Sequence, residues 1–81
     1  MNIQFEFFGV LQRLCSDQPV PLTLAAGTTL DDALDQLASR FPDASAELER
    51  VACAVGDQIV PRRAALEDGM VVALLPPVAG G

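Results

Sequence analysis

Leu30, Ala33, Leu34, Leu37, Ala38 and Phe41 fall at spacings i, i+3, i+4, i+7, i+8 and i+11, which places all six on one face of one helix. A helix with a single apolar stripe must bury it against another element, and the rest of the chain has to supply that surface. The ends of this helix are written into the sequence as well. Thr28 or Thr29 can cap its start, and Asp31 and Asp32 sit in the first turn, where the helix dipole favours negative charge. Pro42 prevents continuation past Phe41. The acidic pair therefore has a structural role.

The flanking segments read as strands. Ile3, Phe5 and Phe7 alternate with Asn2, Gln4 and Glu6, the period of a half-buried strand. Val20, Leu22 and Leu24 form a second alternation after an eleven-residue connection from Gly9 to Pro19, which predicts a wide-looped antiparallel hairpin. Residues 43–50 are polar and fit a loop or one or two helical turns. Val51 to Val55 reads as a short apolar strand, Gly56-Asp57 as a tight turn and Gln58-Ile59-Val60 as a brief return strand. Asp68-Gly69 is a second turn signal. Met70 to Leu75 is apolar throughout, the pattern of a central strand covered on both faces. Pro76-Pro77 ends it.

The order β-β-α-β-β-β with one amphipathic helix predicts a two-layer α+β domain of the β-grasp kind: a mixed sheet of four to five strands, the first and last adjacent and parallel, with the main helix on one face. With 81 residues there is room for one such domain, residues 1–75, followed by an extended tail, residues 76–81.

Composition removes most chemistries. The chain has no His, Lys, Tyr or Trp, so it lacks the usual general base, a Schiff-base amine and a phenol. Ser16, Ser39 and Ser45 have no histidine to activate them. Cys15 and Cys53 are far apart and form no metal-ligand motif, so no metal site is expected and both read as thiols in a reducing compartment. Five arginines against eleven acidic residues give a net charge of −6, which argues against nucleic acid and leans toward a basic protein partner. Arg62 and Arg63 read as a solvated loop or as a grip for an acidic partner. The N-terminus lacks the basic region of a signal peptide, and the longest apolar run, Met70 to Ala79, is too short for a bilayer and holds two prolines. A cytoplasmic location without membrane attachment is the expectation.

What remains is the end, Leu75-Pro76-Pro77-Val78-Ala79-Gly80-Gly81. Prolines fix φ and favour an extended path, so the pair can project the last residues away from the domain. The six residues from Pro76 reach up to about 20 Å at roughly 3.3–3.6 Å each, enough to enter another protein's active site. Gly80 and Gly81 carry no side chain and can pass a narrow channel. The terminal carboxylate is ionised in the cell and is a poor electrophile. Conversion to an acyl-adenylate gives it a leaving group, and sulfur delivered to that carbonyl makes a thiocarboxylate, a nucleophile at the tip of an arm.

The opening Phe7-Phe8-Gly9-Val10-Leu11-Gln12-Arg13-Leu14, the helix, the Leu66-Glu67-Asp68-Gly69 turn and above all Pro76-Pro77-Val78-Ala79-Gly80-Gly81 resemble the small subunit of molybdopterin synthase, a ubiquitin-like β-grasp sulfur carrier. The resemblance covers the whole length. It implies that an adenylating enzyme spends ATP to activate Gly81, that a sulfurtransferase system makes the thiocarboxylate, and that the tail enters the large synthase subunit. There, sulfur passes to cyclic pyranopterin monophosphate to build the dithiolene, typically in a heterotetramer of two small and two large subunits. No bound cofactor is implied, only the covalent thiocarboxylate at Gly81. Gly56 and Met70 depart from that family's usual residues, and Ile59-Val60-Pro61-Arg62 resembles the thiamine-pathway sulfur carrier. A ubiquitin-like modifier joined through Gly81, or an interaction module with an inert tail, are readings of other classes.

Phe8 interrupts the alternation of the first strand by placing a large apolar side chain on its polar face, beside Leu75 if the end strands are neighbours. One reading makes it core. The other makes it part of an exposed docking patch for the large subunit and the activating enzyme, with Leu75 and the tail residues Pro76, Pro77, Val78, Ala79 and Gly80 as partner-binding.

Overall fold

A computed structural model describes residues 1–76. Five strands, β1 (Asn2–Phe7), β2 (Val20–Thr23), β3 (Ala52–Val55), β4 (Gln58–Ile59) and β5 (Val71–Leu75), form one sheet in the order β2-β1-β5-β3-β4. The central pair, β1 and β5, is parallel, and the other pairings are antiparallel. A parallel pair needs a crossover connection, which here is the helical layer. That layer comprises α1 (Val10–Leu14), α2 (Leu30–Arg40), a 3-10 turn at Pro42–Ala44 and α3 (Ser45–Glu49). This is the expected β-grasp architecture.

The ends of α2 follow from local chemistry. Thr29 is the cap, its Oγ1 accepting the Asp32 N–H at 3.2 Å, while Asp31 and Asp32 occupy the first turn and Arg40 the last. This arrangement satisfies one otherwise unpaired amide and matches charge to the helix dipole. Leu30, Ala33, Leu34 and Leu37 are buried by α2 against Ile3, Phe5, Phe7, Val72 and Leu74 from the two central strands. Phe7 and Phe41 meet edge to face with ring centroids 5.9 Å apart. Among the described residues, no polar or charged side chain is buried.

Two clamps hold the parallel pair in register. Asp68 Oδ1 accepts the Asn2 N–H at 2.6 Å, and the Gly69 N–H donates to the Asn2 carbonyl at 2.8 Å. The Gln4 N–H then donates to the Met70 carbonyl at 3.0 Å, and β1 and β5 run side by side from there. The Met1 ammonium donates to the Leu24 carbonyl at 2.7 Å, so the N-terminus sits where both central strands begin. Residue 76, where β5 leads out, is at the other end of the sheet.

Two expectations need correction. The segment from Gly9 to Pro19 is not wholly loop, because Val10–Leu14 form a helical turn that buries Leu11. Strand β5 is central, but among the described residues it is fully buried on one face only: Val72 and Leu74 are buried while Val71 is 41% exposed and Ala73 and Leu75 are half-buried. The uniform apolarity of this strand therefore reflects an uncovered apolar face rather than a second helical layer. No helix among the described residues is long and apolar enough to cross a membrane.

Candidate functional site

The site grows from the end of β5. Phe7 stands opposite Leu74 in the parallel register, so Phe8 and Leu75 leave the sheet as neighbouring chain positions. Phe8 is 41% exposed, so it stands at the surface and is not enclosed by the core. Immediately after it, Gly9 turns the chain with φ +59° and ψ −134°, a conformation that a residue with a Cβ rarely adopts. That turn brings the Gly9 backbone against the Pro76 ring. The root of the tail is thus set between the end of β1 and the end of β5.

The uncovered sheet face continues from this root. Leu75 is opposite Ala52, Ala73 is opposite Ala54, and Ala54 is opposite Ile59, so apolar residues continue on this face across β5, β3 and β4, with Ala54 itself buried among its neighbours. Ile59 is 68% exposed, a large share for a branched aliphatic side chain on a two-residue edge strand. Over β1 the same face turns polar at Gln4 and Glu6. Ile59 and Val71 were not among the residues picked from sequence. Their outward direction depends on sheet register, which composition alone does not reveal.

Neither cysteine among the described residues is set up as a nucleophile. Burial pushes the Cys53 thiol up to about 11, with nearby Arg62 opposing the shift, and burial also raises Cys15. Both shifts disfavour the thiolate, the opposite of what an activated nucleophile needs. Arg62 donates from Nη1 to Asp31 Oδ1 at 3.3 Å and from Nη2 to the Leu48 carbonyl, tying α2 to α3. Its role is structural. Asp31, Asp32 and Asp35 lie close together and exposed on α2, and the helix dipole favours Asp31 and Asp32, which occupy its first turn.

Of the residues predicted from sequence, Phe8, Leu75 and Pro76 come together at one end of the sheet. Pro77, Val78, Ala79, Gly80 and Gly81 lie outside the described residues.

A mixed sheet with a parallel central pair, a helical layer on one face and an apolar surface on the other defines a ubiquitin-like β-grasp protein. The sequence profile of the ThiS family matches residues 5–81. The chain belongs to that family. It is 34% identical over 82 residues to the molybdopterin synthase sulfur carrier subunit of Mycobacterium tuberculosis, covering 100% of this chain and 99% of the relative. A structure of the complex of subunits 1 and 2 of molybdopterin-converting factor from Helicobacter pylori contains a similar chain, 26% identical, with TM-score 0.67 and full coverage of both chains. SAMP1 from Haloferax volcanii shares the fold with TM-score 0.86 at 21% identity, again over the full length of both chains. The resemblance read from the tail and the Phe-Phe opening is borne out.

Proposed function

We propose that this chain is a sulfur carrier, the small subunit of a molybdopterin synthase, and that its working atom is the C-terminal carbonyl of Gly81. The observation that carries this reading is the joint at Phe8, Gly9, Leu75 and Pro76. It sets Pro76, the residue from which the sequence runs on to Gly80-Gly81, beside Phe8 and a largely apolar sheet face.

The apolar face docks a partner, and the tail reaches that partner's active site. An adenylating enzyme first joins the Gly81 carboxylate to the α-phosphate of ATP and releases pyrophosphate. A persulfide supplied by a sulfurtransferase then displaces AMP to give an acyl disulfide, and a thiol reductant cleaves its S–S bond, leaving the thiocarboxylate on Gly81 and a disulfide on the donor. On the large synthase subunit, that sulfur passes to cyclic pyranopterin monophosphate, and two donations complete the dithiolene. The chain binds no cofactor of its own in this scheme, and it works in the cytoplasm in an assembly of two small and two large subunits. Each partner uses the same face in turn, because activation and donation both require the tail.

A thiamine-pathway carrier would use the same chemistry at Gly81. The full-length similarity to a molybdopterin synthase sulfur carrier subunit favours the first reading. Reconstitution tests it: thiocarboxylated chain, large subunit and cyclic pyranopterin monophosphate are expected to yield molybdopterin. Failure with that substrate, together with sulfur transfer in a thiamine-forming system, would overturn it.

A further inference from the structure

The outer edge of a sheet presents backbone donors and acceptors to any strand of suitable register, and an apolar sheet face nearby adds to the risk of self-association. Which way the backbone of β2 points follows from two hydrogen bonds. The Gln4 N–H donates to the Met70 carbonyl on the β5 side, and the Leu24 N–H donates to the Met1 carbonyl. Main-chain groups alternate in direction along a strand, so Met1, Ile3 and Phe5 face β2 while Gln4 faces β5. Their partners Leu24, Leu22 and Val20 face β1 in return. Pro21 and Thr23 face outward, and Pro19 holds the outward position one step before the strand.

Prolines thus stand at successive outward positions, and both are exposed. A proline has no amide hydrogen, and its ring Cδ stands where that hydrogen would point, so an incoming strand meets carbon instead of a donor. Val20 and Leu22 keep their donors for β1, so the pairing that holds the sheet together loses nothing. The opposite edge follows the same rule. There the Val60 N–H donates to the Cys53 carbonyl at 2.8 Å, which turns Ile59 and Pro61 outward, and Pro61 again has no donor to offer.

We propose that Pro19 and Pro21 close the outer edge of β2 to strand addition by a second copy of this chain. Two β2 strands brought together antiparallel about a two-fold axis at residue 21 would set residue 21 against its own copy and residue 19 against residue 23. Threonine at 19 and 21 would complete that ladder from both sides, whereas with the prolines Thr23 alone donates from each chain. This role depends on backbone direction in β1 and β2 and not on the sulfur-carrier reading.

The test is sedimentation velocity over a range of concentrations on the full chain, made by chemical synthesis in three forms: native, Pro19→Thr/Pro21→Thr, and the same double variant with N-methylthreonine at both positions. Threonine is a favoured strand residue, so the double variant is expected to fold, which circular dichroism and a cooperative urea transition check. Its mass is expected to rise with concentration toward twice that of the native chain, while the N-methyl form matches the native chain throughout. A folded double variant that sediments like the native chain at every concentration overturns the proposal. Association of the N-methyl form to the same extent also overturns it, because side chains and not edge donors would then drive assembly. Hydrogen exchange on the native chain reads the geometry without any substitution: protection of the Leu22 amide is expected to exceed that of the Thr23 amide by about 100-fold or more. Equal protection at the two positions would put Thr23 inside a ladder and overturn the proposal, whether or not the double variant folds.

Discussion

Truncating Phe8 to alanine is expected to act on docking and on stability, each by an amount set by the ring area it removes. A phenylalanine buries about 150–250 Å² when fully enclosed. With 41% of Phe8 exposed, about 60–100 Å² is left for a partner to cover. At about 25 cal/mol per Å² this corresponds to about 1.5–2.5 kcal/mol, or a dissociation constant raised about 10- to 60-fold. The part of Phe8 already covered by the chain itself, about 90–150 Å², is lost as well, so urea unfolding is expected to show a stability loss of up to about 2–4 kcal/mol with the cooperative transition retained. Titration calorimetry of the large synthase subunit with native and Phe8→Ala chains, beside urea unfolding of both, measures the two quantities. Unchanged affinity would refute the docking role of this face.

Three further outcomes follow from the same structure. Thr29→Ala removes the acceptor that caps α2 and is expected to cost about 1 kcal/mol in urea unfolding, with tail chemistry unaffected. Cys53 titrates at about 11 in the folded chain against an ordinary 9.0, so the folded state holds this proton more tightly across that window. Its contribution to stability is therefore complete below pH 9 and is lost as pH rises toward 11, and Cys53→Ala is expected to flatten that alkaline loss when urea midpoints are compared across the range. An extension before Met1 projects from the end of the sheet away from Pro76 and is expected to preserve sulfur loading, whereas an extension after Gly81 abolishes it with the unfolding transition unchanged. Thiocarboxylate yield measured on both fusions checks this.

The parts visible in the sequence are those set by local rules. Helix α2 was legible because its period, cap and terminating proline agree, and β1 because its alternation is strict. The five-residue α1 was missed: Gly9 gives it no side-chain cap, and only Leu11 is buried, so there is no period to read. Strand β5 was misjudged for a different reason. Apolar residues at Val71, Ala73 and Leu75 look the same in a sequence whether they face a second layer or solvent, and register decides which. Phe8 could be flagged but not assigned until its exposure was known, and Ile59 could not be flagged at all. The chemistry proposed for the tail, by contrast, rests on the identity of Pro76, Pro77, Gly80 and Gly81 and not on coordinates. Arg62 shows the converse, its role being apparent only from the contacts to Asp31 and Leu48.

Intact-mass and fragment-ion analysis of the chain isolated from cells with a working sulfur pathway bears most directly on the account. Part of the population is expected to carry one sulfur in place of one oxygen, localised to Gly81. A terminus that remains an ordinary carboxylate under those conditions, or that appears only in isopeptide linkage to lysines of other proteins, would contradict it.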